Sequence, residues 1–192
     1  MMPAHYALSD AAIVLVAAWA APALWLNRKI LPAVAMACFG LAASIGVVRF
    51  GADLQAELAA VHAAGSLVLG LAAALMLAAA CFWHHSQRRQ GYLAFAALAA
   101  AAGTYFVAPT FIGPLFVLAL TGALLVRIVQ VFRSGSSWFG PAGLTILLLD
   151  TLLIRRAPWL AEASAWHAYH LLIALGMLAL TRVDLHDRAQ ST

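Results

Sequence analysis

Charged side chains are scarce in this sequence. Only 9% of its 192 residues are Asp, Glu, Lys or Arg, whereas 65% are hydrophobic. Soluble domains carry about 25% charged and about 45–50% apolar residues, so a soluble fold of this length could not bury so much apolar surface. A disordered chain is excluded as well, because disorder requires low hydrophobicity and high charge. The composition predicts an integral membrane protein.

Cysteine and lysine are also rare. Cys38 and Cys81 are the two cysteines, and both lie within apolar segments, which predicts buried thiols and not a disulfide framework. Lys29 is the only lysine and lies between two apolar runs, so a light-driven protein with a retinal Schiff base within a span is excluded. The arginines occur singly or in pairs and form no basic patch. Nucleic acid is therefore not an expected partner.

Long apolar runs dominate what remains. A helix needs about 20 apolar residues to cross the hydrocarbon core of a bilayer, and seven segments of the chain meet that requirement approximately. They are residues 9–27, 30–50, 56–83, 91–108, 110–132, 138–155 and 164–183. We therefore expect an all-α fold, a seven-transmembrane helix bundle that forms a single integral membrane domain over residues 1–192.

The positive charges predict the orientation of this bundle. Eight of the eleven Lys and Arg residues fall on one side of the predicted spans and three on the other. Because cytoplasmic loops carry the excess of Lys and Arg, the N-terminus is expected outside and the C-terminus in the cytoplasm. The eight are Arg28, Lys29, Arg88, Arg89, Arg127, Arg133, Arg182 and Arg188, and the three are Arg49, Arg155 and Arg156.

Ionisable residues within the predicted spans concentrate in the outer half of the bundle. His167 and His170 are three residues apart, so on a helix they share one face. Together with His62 they predict a three-histidine metal site, in which zinc would keep an open fourth position. Asp10 or Asp150 is then a fourth ligand, a carboxylate that orients an imidazole, or a base for the bound water. A hydrogen-bonded polar cluster without metal remains the alternative.

Three short stretches resemble motifs of the CREST superfamily, which includes alkaline ceramidases, the progestin and adiponectin receptors and small bacterial relatives. They are Leu8–Asp10, Gly40–Phe50 and Trp166–Leu172. The resemblance implies a zinc-dependent hydrolase of a lipid amide or ester, with Asp10 and Ser44 in catalytic roles. Arg49, at the outer end of the second predicted span, is a third candidate catalytic residue, and we expect the protein in the bacterial inner membrane. The sequence departs from the family at two places. Four residues after Ser44 the family has a histidine, whereas this chain has Val48 followed by Arg49. In the last span the family's histidines are four residues apart, whereas His167 and His170 are three apart.

Three functions follow as alternatives. The first is an intramembrane hydrolase that takes a membrane lipid from the outer leaflet, with Arg49 pairing with its headgroup or with a developing oxyanion. The second is electron transfer through haem b, held by His62 and by His167 or His170. The third is a non-catalytic binding, sensing or assembly subunit. The faces rich in Ala and Gly would then pack against a partner protein or a second copy of the chain.

Overall fold

The computed structural model describes residues 4–82, 86–154 and 157–186, and within these ranges the chain is helical with no β-strand. A 3-10 turn, Pro109–Phe111, precedes the fifth helix, and a π-helical turn, Asp150–Ile154, extends the sixth. The seven helices are α1 (Tyr6–Leu26), α2 (Ile30–Gly51), α3 (Ala59–Phe82), α4 (Gln87–Val107), α5 (Ile112–Ser134), α6 (Phe139–Leu149) and α7 (Glu162–His186). The prediction of an all-α fold is confirmed.

Six of these helices are long and apolar enough to cross a membrane, and α6 with its π-helical turn is shorter. The helix boundaries differ from the predicted spans by a few residues. For example, α4 begins at Gln87 and not at residue 91, and α3 begins at Ala59 and not at residue 56, because residues 55–58 form turns. Other parts of the predictions lie outside the described residues. They are the predicted ends of the third and sixth spans, at residues 83 and 155, and three of the counted charges, Arg155, Arg156 and Arg188.

Six of the helices form a closed ring. Each packs against the next in the order α1, α2, α3, α5, α6 and α7, and α7 packs back against α1. Helix α4 lies outside this ring, mainly against α3, and buries one alanine face at Ala94, Ala97 and Ala101. Because α4 is peripheral, the interior of the ring is lined by the other six helices.

Small residues bring neighbouring helices close together. A Cβ on Gly143 of α6 would lie 2.9 Å from the carbonyl oxygen of Gly176 in α7, and a Cβ on Gly40 of α2 would lie 2.5 Å from Cβ of Ala17 in α1. Neither position has room for a side chain. Close backbone approach through small residues is the usual packing device of membrane helices, as the composition predicted.

Side-chain contacts define the two ends of the bundle. Ser9 in the first turn of α1 meets His167 in the second turn of α7. The last turn of α2 meets the first turn of α3 at Arg49 and His62. At the opposite end, Gln90 in the first turn of α4 accepts a hydrogen bond from the backbone N–H of Leu31 in the first turn of α2. We call the end that contains Ser9 and Arg49 the histidine end.

Candidate functional site

Asp10 is the central side chain of the histidine end. It lies in the second turn of α1, has none of its surface exposed, and places Oδ1 3.0 Å from Nε2 of His170 in α7. Neither carboxylate oxygen accepts a hydrogen bond with good geometry from the residues that the structure describes. An ionisable group buried in this way is costly unless a partner or a function compensates for it, so Asp10 marks the candidate site.

His170 is fixed by the helix to which it belongs. Its Nδ1 lies 2.8 Å from the backbone oxygen of Trp166, one turn earlier in α7. A carbonyl oxygen only accepts hydrogen bonds, so Nδ1 carries a proton and donates it there. The other ring nitrogen, Nε2, is thereby directed at Asp10, and the two residues form an acid–base pair.

His62 approaches Asp10 from the opposite side, across α2. The two side chains face each other over the backbone of Gly46, where an added Cβ would lie 2.8 Å from Cγ of Asp10 and 3.1 Å from Nε2 of His62. No side chain fits in that space. The glycine therefore allows three helices to bring a carboxylate and an imidazole together.

Arg49 completes the group. Its Nε donates to the backbone oxygen of Gln55, which fixes the guanidinium, and its Nη1 donates to Nδ1 of His62 at 3.2 Å. The structure therefore assembles four of the predicted residues, Asp10, Arg49, His62 and His170, from four different helices. We call them the polar cluster.

The remaining predicted residues have other partners. His167 places Nδ1 3.1 Å from Oγ of Ser9, whose own proton goes to the backbone oxygen of Tyr6. His167 and His170 therefore face different neighbours, although both lie at the histidine end. Ser44 donates to the backbone oxygen of Gly40, one turn earlier in its own helix, at 2.8 Å. Asp150 is fully buried at the start of the π-helical turn of α6.

Two adjoining cavities give access to the polar cluster. The inner cavity, of about 120 Å³, is lined by Asp10 and otherwise mainly by apolar side chains such as Ile13, Phe39 and Phe116. The mouth cavity, of about 680 Å³, contains Arg49 and Glu162 and reaches the connection between α6 and α7. Five residues line both, namely His62, Ser66, Leu67, Tyr169 and His170. Ser44 and His167 lie outside both linings.

The donor set fits a metal ion only in part. Asp10 offers buried acceptor oxygens, and the proton on Nδ1 of His170 leaves Nε2 as the nitrogen for a ligand. His62 does not fit, because Nδ1 accepts from Arg49 and the single proton of the neutral ring is then on Nε2, the nitrogen that faces Asp10. Within residues 4–82, 86–154 and 157–186, no three His, Cys, Asp or Glu side chains are grouped closely enough to hold a metal ion.

Sequence analysis missed two features of this site. Trp166 packs its indole 4.4 Å from the His170 ring and 5.2 Å from the Phe50 ring, which covers the cluster on one side. Gly46 could have been noticed in the small-residue run of α2, but only the fold shows that Asp10 and His62 approach it.

A second polar group lies at the opposite end of the bundle, and its contacts were not predicted from the sequence. Arg127 of α5 donates to Asp184 of α7 at 2.9 Å, and the two side chains are 14% and 8% exposed. Gln130 donates to the backbone oxygen of Cys81 at 3.0 Å and so connects α5 with α3. These contacts join the far ends of three ring helices. Asp184 lies at the end of an apolar run, where its burial could not be recognised.

Comparisons with models of protein families, with curated proteins and with solved structures find no match to this chain. Any function must therefore be argued from the site itself.

Proposed function

We propose that this protein is an intramembrane hydrolase that cleaves an amide or ester bond of a membrane lipid at the histidine end. The observation that carries the proposal is the contact between Asp10 and His170. A fully buried carboxylate lies 3.0 Å from an imidazole nitrogen, and both residues line a cavity whose other walls are mainly apolar. Such a pair is suited to general acid–base catalysis.

The chemistry assigned to the pair is the activation of water. Asp10 and His170 accept a proton from a water molecule as its oxygen attacks the substrate carbonyl, and they return that proton to the leaving amine or alcohol. Charge develops on the carbonyl oxygen meanwhile, and Arg49 together with Nε2–H of His62 supplies donors that stabilise it.

The apolar lining of the inner cavity supports a lipid as the substrate. Its walls from α2, α3 and α5 accept a hydrocarbon chain, while the scissile bond stays near Asp10. The open mouth cavity with Arg49 suits the polar part of the same molecule.

The proposal includes the membrane arrangement. All seven helices cross the bilayer, the histidine end faces the outside, and the C-terminus is cytoplasmic, in a bacterial inner membrane. The support for this orientation is the excess of Lys and Arg at the other end. With the 16 residues from Phe139 to Ile154, α6 extends about 24 Å at 1.5 Å per residue, short of the hydrocarbon thickness of about 30 Å. A locally thinned bilayer compensates for the difference.

The test is a lipid hydrolysis assay with the purified protein in liposomes, using N-acyl amide and acyl ester lipids and detecting the released fatty acid by mass spectrometry. We expect Asp10→Asn to lower the rate by about 10²- to 10⁴-fold, because the acid–base pair is lost while the shape of the side chain is kept. Full activity in Asp10→Asn, or no turnover of any amide or ester lipid by the wild type, would contradict the proposal.

A further inference from the structure

The position of Arg49 has a consequence for metal binding. Its guanidinium touches His62 directly, and among the described residues no carboxylate lies within ion-pairing distance of it. A full positive charge is thus held beside the imidazole on which the three-histidine zinc site depends. The guanidinium is fixed there, since its Nε also donates to the backbone oxygen of Gln55.

The proton positions on His62 follow from the chemistry of its partner. A guanidinium has N–H donors and no acceptor, so Nδ1 of His62 has to accept the hydrogen bond from Arg49. In the neutral ring the remaining proton is then on Nε2. Because Nε2 is the nitrogen that faces Asp10 over Gly46, His62 presents an N–H donor to the centre of the cluster and not the lone pair that a metal requires.

His170 has the opposite arrangement. Its Nδ1 donates to the backbone oxygen of Trp166, and Nε2 lies 3.0 Å from Oδ1 of Asp10. His170 therefore presents to Asp10 a nitrogen that can take up either a metal or a proton, whereas the proton on Nε2 of His62 denies the cluster a third donor for a metal.

We infer that Arg49 keeps metal ions out of the polar cluster by holding the proton of His62 on Nε2, so that the guanidinium provides the positive charge that a metal would otherwise supply. Arg49 is a positioning residue in this scheme, because it acts through His62. The inference concerns the site of the proposed hydrolase, but it does not depend on hydrolysis, since metal content and the proton position on His62 are measured without a substrate.

The first experiment measures zinc binding to the detergent-purified full chain, by equilibrium dialysis against zinc buffers followed by elemental analysis. Arg49→Met removes the charge and the donor, whereas Arg49→Lys keeps both. We expect no stoichiometric zinc in the wild type or in Arg49→Lys, and about one zinc per chain in Arg49→Met, with an affinity about 10- to 100-fold higher, the range by which hydrogen-bond partners of metal-bound histidines alter affinity. The double variant Arg49→Met/His62→Gln should lose the zinc again.

The matched control is Arg133→Met, which removes an exposed arginine in the last turn of α5, away from the histidine end. This variant should bind zinc as the wild type does. One tightly bound zinc in the wild type that is lost in His62→Gln would overturn the inference. So would an Arg49→Met variant that is folded by circular dichroism and binds zinc no better than the wild type.

A second measurement does not depend on any arginine variant. In ¹⁵N-histidine spectra of the wild type, the His62 signals are assigned by their absence from His62→Gln. We expect the chemical shifts of a ring with a bare Nδ1 and a protonated Nε2. A proton on Nδ1 and a bare Nε2 would show that Arg49 does not set the state of His62, and the inference would then be wrong. Loss of hydrolysis with these shifts intact would count against the proposed function alone.

Discussion

At the scale of single residues, the site depends on which side chains turn towards Asp10. Ser44 was expected to be catalytic from its position in the motif, but its hydroxyl donates to Gly40 within its own helix. The spacing along the sequence could not show this, because a serine on a membrane helix bonds to its own backbone by default unless a neighbouring helix offers a better acceptor.

Ser44→Ala is therefore expected to leave hydrolysis within about twofold of the wild type, since a bond within one helix contributes little to the site. Initial rates in the liposome assay check this expectation, with Asp10→Asn as the inactive comparison. A loss approaching that of Asp10→Asn would return Ser44 to the catalytic residues.

Gly46 provides a second prediction at this scale. Gly46→Ala places a methyl group where Asp10 and His62 face each other, and overpacking of this kind costs about 1–3 kcal/mol. Reversible unfolding in SDS should show that loss of stability together with a loss of hydrolytic activity. In Gly103→Ala, on the peripheral α4, the new Cβ meets nothing within 4 Å, so this control should gain about 0.5–1 kcal/mol from helix propensity. Equal effects of the two substitutions would contradict the packing described here.

At the scale of helices, the apolar runs predicted the elements well, because a bilayer-spanning helix has a strong compositional signal. The sequence did not predict how the helices pack against one another. Nothing in the alanine-rich stretch from Ala94 to Ala101 indicates that α4 lies outside the ring, since Ala suits a helix interface and a lipid-facing surface equally well. Likewise, the three-residue spacing of His167 and His170 predicts a shared face but not their separate partners, Ser9 and Asp10.

The contact between α5 and α7 can be tested through Arg127 and Asp184. Removing one member of a buried ion pair leaves the other charge uncompensated, at a cost of about 3–5 kcal/mol. We expect Asp184→Leu to lower the free energy of unfolding by that amount, and the double variant Arg127→Met/Asp184→Leu to recover most of it. SDS titration of the two variants provides the measurement. A double variant less stable than Asp184→Leu would show that the pair does not act as a unit.

At the scale of the whole molecule, the class of protein was predictable from composition alone, whereas the site was predictable only as a set of candidates. Asp10, Arg49, His62 and His170 were all identified in advance because ionisable residues stand out in apolar runs. Their geometry was not predicted, since it depends on the approach of Asp10 and His62 at Gly46 of α2 and on the packing of α7 against α1. The two alternative functions, electron transfer through haem b and a non-catalytic binding, sensing or assembly subunit, stay predictions.

The seven-span arrangement is tested by single cysteines introduced into a Cys38→Ala/Cys81→Ala background and labelled in intact cells with a membrane-impermeant maleimide. Residues 55 and 160 should react from outside, and residues 27 and 135 only after the cells are opened. Residues 135 and 160 flank α6 and so report on whether it crosses. Reaction of both from the same side would show that α6 stays within one leaflet.

The contacts between the first and the last helix also impose an order on biosynthesis. Ser9 and His167 are 158 residues apart in the chain, so the ribosome completes α1 long before it makes His170, the partner of Asp10 in α7. During that interval the carboxylic acid enters the translocation machinery without its imidazole partner, and five further helices are made before α7 arrives. Insertion of the final helix is the event that creates the acid–base pair. A nascent chain therefore lacks the contact between Asp10 and His170 at every earlier stage of its synthesis.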